Sequence, residues 1–124
     1  LNKFSLDLQI VLKKSIKLTK KNKKIIVNLA INYGSKKEIF EALKKTRKKF
    51  TIKNFESNLY TKNIPDPDIL IRTGGHQRLS NFLLWQLAYT ELFFLKKLWP
   101  DFKKNDLSRV LKKYKNIRRN YGNI

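Results

Sequence analysis

Residues 69–86 read ILIRTGGHQRLSNFLLWQ, and they decide how the rest of the chain is interpreted. The apolar triplet Ile69-Leu70-Ile71 runs into Arg72, and Gly74-Gly75 then breaks the run. Arg78 follows six residues after the first arginine, and Ser80-Asn81 precede a block of large apolar side chains. Ile-Leu-Ile favours a short buried strand, and Pro65 and Pro67 before it set off a turn. In open parallel sheets, ligands bind beyond the carboxyl ends of the strands, which is where Arg72 falls. Glycines let the backbone turn sharply and approach an oxyanion, and an arginine fork matches phosphate oxygens. Ser80 or Asn81 can cap a helix running to about Ala88, whose free N–H groups would favour an anion. The local inference is a phosphate or diphosphate site built from Arg72, Arg78, Ser80 and backbone N–H groups. Spacing alone equally allows Arg72 to close a strand, the glycines to form a plain turn, and Arg78 to pair with a carboxylate.

Outward from this stretch, strands and helices alternate. Residues 8–23 place Leu8, Val11, Leu12, Ile16 and Leu18 near one stripe opposite lysines, as an amphipathic helix does. IIVNLAINYG (25–34) is a β-branched run closed by Gly34 and is expected to be a strand buried on both faces. Ser35 and Glu38 have capping-box spacing for a helix carrying Ile39, Phe40, Leu43 and Phe50. A short helix is expected over 54–61 and a strand over TELFFL (90–95), with a break at LWPDF. Asp106 caps a last helix with Leu107, Val110, Leu111, Tyr114 and Ile117 on one face, stopped by Tyr121-Gly122. The pattern predicts one α/β domain with a partial, mainly parallel sheet and flanking helices.

The 124 residues suffice for one modest core. The absence of cysteine excludes disulfides and thiolate metal sites. With no apolar run of about 18 residues, the expectation is a soluble, cytoplasmic protein, peripheral to a membrane at most. The net charge of +20 is unevenly spread: +13 over residues 1–53, −1 over 54–95 and +8 over 96–124. The arginine-glycine stretch thus sits in the balanced segment. The surplus is chiefly lysine, 23 against 6 arginines, and reads as a solvated surface whose field would still attract anions.

Two further residues stand out. Glu91 is the one acid between Asp68 and Asp101 and is embedded in apolar residues, so it must be paired, metal-bound or at an exposed strand end. A single helix over 81–95 would hold it about 16 Å from Ser80, at roughly 1.5 Å per residue. A helix-to-strand break near Tyr89, or a partner subunit, would remove that objection. His76, the single histidine, could contact an anion or carry a proton, but a lone loop histidine is more often simply solvated. Phe82, Trp85, Tyr89, Phe93 and Phe94 fit a core, a subunit interface or an apolar channel.

IRTGGHQRLSNFLLWQLAYTELFF with LWPDF after it closely resembles the C-terminal signature of the cis-prenyltransferases, the undecaprenyl diphosphate synthase family. NLAINYGSKKEI and PDPDILIRT agree in order, so the resemblance runs from about residue 10 onward. It implies an isoprenyl transferase that condenses isopentenyl diphosphate onto an allylic diphosphate with Mg²⁺, as a homodimer. By this resemblance Arg72, Arg78 and Ser80 hold the isopentenyl diphosphate, with Leu79 beside them and Gly75, His76 and Gln77 on the same turn. Glu91 then serves the magnesium. The family's MDGNGRWA motif has no counterpart in residues 1–20, so the expectation is a C-terminal half with no catalytic residue of its own and a complementing N-terminal half elsewhere. His76 stands where the family usually has Glu, and Arg119-Asn120-Tyr121-Gly122 where it has RRFG. A non-catalytic accessory subunit is the alternative. A basic nucleic-acid-binding module, suggested by charge alone, is disfavoured by the near-neutral central segment.

Overall fold

The computed structural model describes residues 4–46 and 50–120. It divides into two compact units, Leu1–Ile31 and Asn32–Ile124. The first holds helix α1 (Leu6–Thr19), which ends before the Asn22-Lys23 stop expected from sequence. The stretch 25–31 does not form the expected strand. A strand needs a neighbour's N–H and C=O groups, and among the described residues none pairs with this segment. Its Ile25, Ile26, Val27 and Leu29 are 65–81% exposed instead of buried on both faces.

The second unit holds α2 (Ser35–Lys45), α3 (Ile52–Glu56), strands β1 (Ile69–Arg72) and β2 (Glu91–Phe94), a 3-10 turn at Trp99–Asp101 and α4 (Lys104–Lys115). β1 and β2 pair in parallel, with Ile69 opposite Glu91 and Arg72 opposite Phe94. The fold is therefore α/β with a small parallel sheet and flanking helices, as expected. Ala42, Phe55 and Leu59 form the apolar centre between α2 and α3, with Ile39 packed against it. Trp85 meets Phe55 edge-on at 4.6 Å between ring centroids.

Asp106 does cap α4, but from its third position: its carboxylate accepts the Lys103 N–H at 3.0 Å and pairs with Lys97 at 2.9 Å and Arg109 at 2.6 Å. The Lys97 bond, the Lys103 N–H and the neighbouring cations hold that carboxyl below its ordinary range. The helix stops at Lys115, ahead of the Tyr121-Gly122 stop, which lies outside the described residues.

The expected helix beginning at Ser80 or Asn81 is absent. Residues 80–89 run as successive turns, and Ser80, Asn81 and Leu83 adopt positive φ of 50°, 63° and 45°. Three such residues in four positions interrupt helical hydrogen bonding, and the chain enters β2 from a turn.

Candidate functional site

Arg72 ends β1 and turns its guanidinium across the loop that follows. Its Nη1 donates to the Arg78 carbonyl and, at 3.0 Å, to Ser80 Oγ. The three residues named from spacing therefore meet at the carboxyl end of the sheet, with Arg78 and Ser80 exposed. Leu79 is half-buried beside them, and Gly75, His76 and Gln77 are exposed on the same loop.

The glycines have a different role from the one expected. Gly74 and Gly75 take φ of 91° and 78°, which other residues rarely adopt, so the turn itself requires them. Their N–H groups are committed, Gly74 to the Lys97 carbonyl at 2.7 Å and Gly75 to that of Leu95 at 2.9 Å. The pair ties the end of β1 to the chain leaving β2 and offers no free donors to an oxyanion. With no helix at 80–89, the expected helix N-terminus after Ser80 is missing as well. Any anion bound here would have to be met by side chains: the Arg72 guanidinium, the exposed Arg78 and the Ser80 hydroxyl.

Glu91 lies at the other end of the sheet. It opens β2 opposite Ile69, whereas Arg72 closes β1, so the two stand about 10 Å apart along the strands at roughly 3.3 Å per residue. The strand does begin just after Tyr89, though it follows turns and not a helix, and parallel pairing separates Glu91 from Arg72 within one chain. Among the described residues, no three His, Cys, Asp or Glu side chains come together as a metal site.

Behind the loop stands a buried polar cluster that sequence reasoning missed. Ser35 and Glu38 are 0% and 1% exposed, so the supposed capping box is interior. The Glu38 carboxyl accepts the Tyr60 N–H at 2.7 Å, the Gln86 amide at 3.3 Å and the Tyr33 hydroxyl. Gln86 also donates to Thr61 at 2.9 Å. Burial, then the bond to Glu38, pushes the Tyr33 hydroxyl up to about 12; the bond to Glu41 does the same for Tyr60. No local pattern could reveal a Glu38–Gln86 pairing across 48 residues. The only hint was an acid at the core-facing position of an otherwise lysine-rich helix.

Comparison with known proteins bears on this geometry. The family described as undecaprenyl diphosphate synthase matches residues 1–122. The chain belongs to this prenyltransferase family. It is similar to an isoprenyl transferase of Oceanobacillus iheyensis, 45% identical over 116 residues that are 86% of this chain and 46% of that one. Among solved structures, a probable undecaprenyl diphosphate synthase from Campylobacter jejuni superposes with a TM-score of 0.86 at 32% identity, covering 98% of this chain and 59% of the other. The lavandulyl diphosphate synthase of Lavandula x intermedia, solved with dimethylallyl diphosphate, gives 0.84 at 38% identity over 90% and 52% of the two chains. The chain thus spans about half the length of the curated relatives it matches. Coverage of that kind says how much of the prenyltransferase chain is shared, not which end, so the expectation of a C-terminal half gains nothing from it.

Proposed function

We propose that this chain supplies the isopentenyl diphosphate site of an isoprenyl transferase that condenses isopentenyl diphosphate onto an allylic diphosphate. The observation that supports this most directly is the meeting of Arg72, Arg78 and Ser80 at the carboxyl end of β1. In this reading the Arg72 guanidinium, already fixed by the Arg78 carbonyl and Ser80 Oγ, presents its remaining N–H groups to the diphosphate. Arg78 adds a second fork from the rim, and Ser80 a hydroxyl. A diphosphate held this way leaves the alkene end of the substrate free to meet an allylic partner. Relatives of this family carry the name isoprenyl transferase, which agrees with that chemistry.

Among the described residues no three His, Cys, Asp or Glu side chains come together, and Glu91 lies at the end of the sheet away from Arg72. In this proposal Glu91 serves Mg²⁺ at a site completed by another chain, a second copy or a complementing polypeptide. The exposed apolar run at residues 25–29 favours such a partner over a chain acting alone. The cationic surface would let the assembly rest against an anionic membrane from the cytoplasmic side.

Titration calorimetry with isopentenyl diphosphate tests the site. Arg78→Ala and Arg72→Ala should each weaken binding by about 1.5–3 kcal/mol, the range for a charge-assisted hydrogen bond. That is roughly ten- to hundredfold in Kd. Unchanged affinity in both variants would place the diphosphate elsewhere.

A further inference from the structure

The loop that carries Ser80 is fastened to a distant helix. Asn81 accepts the Ser35 N–H with its backbone carbonyl at 2.8 Å and the Lys36 N–H with its side-chain Oδ1 at 2.8 Å. In the other direction, Ser35 Oγ accepts the Leu84 N–H at 2.9 Å. The start of α2 therefore has two of its free donors satisfied by one asparagine 45 residues away. Gly34, at the N-cap, makes this approach possible: a Cβ there would lie 2.8 Å from Asn81 Nδ2. Ser80 and Asn81 are both held at positive φ, a conformation that persists in non-glycine residues when surrounding contacts over-determine it. Ser80 is in turn the residue that receives Arg72.

We propose that Asn81, together with Ser35, is a positioning residue for the diphosphate loop. It transmits the rigidity of α2 through Ser80 to the Arg72 guanidinium, so that the anion finds its donors already arranged. This rests on the assignment of the diphosphate to Arg72, Arg78 and Ser80. Asn81 itself faces α2 and makes no contact with substrate in this role. Its removal leaves every charge at the site in place and acts only through the order of the loop. Preorganised donors bind more tightly than the same donors on a loose loop, because ordering no longer accompanies binding.

Three substitutions separate the possibilities. Asn81→Gly keeps the left-handed backbone and the carbonyl that receives Ser35 N–H, and removes only the side-chain acceptor of Lys36. Asn81→Asp keeps an acceptor oxygen, and Ser35→Ala removes the acceptor for Leu84. Dissociation constants for isopentenyl diphosphate and for inorganic pyrophosphate would be measured by calorimetry on the full chain, beside Arg72→Ala. The expected result is a loss of about five- to tenfold for Asn81→Gly with both ligands, the scale of one capping interaction. Asn81→Asp should recover most of it, and Ser35→Ala should lose about two- to fivefold. Wild-type affinity in Asn81→Gly, while Arg72→Ala loses binding, would overturn the positioning role and leave the site standing. Failure of Asn81→Asp to recover affinity would reduce Asn81 to a packing residue and equally overturn it. If Arg72→Ala leaves affinity untouched, the site assignment falls first and this inference with it. Should Asn81→Gly not fold, Ser35→Ala carries the test, and unchanged binding there refutes the proposal.

Discussion

Glu38→Ala should be among the most damaging single changes in the chain. The side chain is 1% exposed, and its carboxyl receives Tyr60 N–H at 2.7 Å, the Gln86 amide at 3.3 Å and the Tyr33 hydroxyl. Alanine removes the acceptor and leaves those donors in place. Gln86 keeps Thr61, and the half-buried Tyr33 hydroxyl can turn towards water. Tyr60 is 54% exposed, so its N–H loses the Glu38 bond but is not sealed from water. Two partly stranded donors, at the lower end of roughly 1–3 kcal/mol each, plus a small cavity, sum to about 2–4 kcal/mol. Total stability for a domain of this size is about 5–15 kcal/mol, so the variant should lose a large share of it. Glu38→Gln retains one acceptor oxygen and should lose about 1–2 kcal/mol. Urea unfolding followed by tryptophan emission reads this through Trp85, which packs on Phe55. A loss below about 1 kcal/mol for Glu38→Ala, with unchanged dependence on urea, would refute the reasoning. It would mean that these three bonds contribute nothing net to holding α2, the 57–61 turn and the 80–89 turns together.

The remaining predictions concern the same unit. Gly34→Ala should cost about 1–2 kcal/mol by displacing the Asn81 amide from Lys36, and in an Asn81→Gly background the same change should be nearly neutral. Additive losses in that double-mutant cycle would show that the two residues act separately. Asp106 has its pKa lowered on folding from the ordinary 3.8, so its contribution is present above that value and disappears as pH falls below it. Asp106→Asn should therefore flatten the stability profile below about pH 4, and an unchanged acid slope would assign it to other carboxyls. Tyr33 is raised to about 12 from 10, so the folded state holds its proton longer and stability is lost as pH rises from 10 towards 12. Tyr33→Phe should reduce that alkaline loss, with Tyr60, also raised to about 12, supplying much of the rest. Alkaline melts of the single and double variants check this.

Much of this architecture is legible in the order of residues. Ile69-Leu70-Ile71 and Glu91–Phe94 carry β-branched and aromatic side chains between turn signals, and both became strands because each provides the other's ladder. The IIVNLA run has the same composition yet stays out of the sheet. Composition reports readiness to pair; among the described residues this segment has no neighbour to pair with. Ser80-Asn81 carries a correct signal with a wrong address. Asparagine is a good helix cap, and Asn81 does cap a helix, but one that begins 46 positions earlier. Local rules choose the nearest helix, whereas hydrogen bonding goes to whichever donors the fold brings close. For the site, Arg72, Arg78 and Ser80 were readable because they lie within nine residues of one turn. The distance of Glu91 was not, since it depends on the register that sets Glu91 opposite Ile69 and on the loss of the helix expected before it.

The Asn81–α2 link also has a kinetic consequence. It closes a loop of 45 residues, and joining ends that far apart costs roughly 3 kcal/mol of chain entropy before any bond is made. Helices α2 and α3 can form and meet through nearby contacts, whereas the turn carrying Ser80 settles only when both ends of that loop arrive. The loop proposed to hold the diphosphate should accordingly be among the last parts of this unit to become native. A refolding chain would regain its helical signal first and its grip on pyrophosphate afterwards, and the lag between the two would time the closure of that single loop.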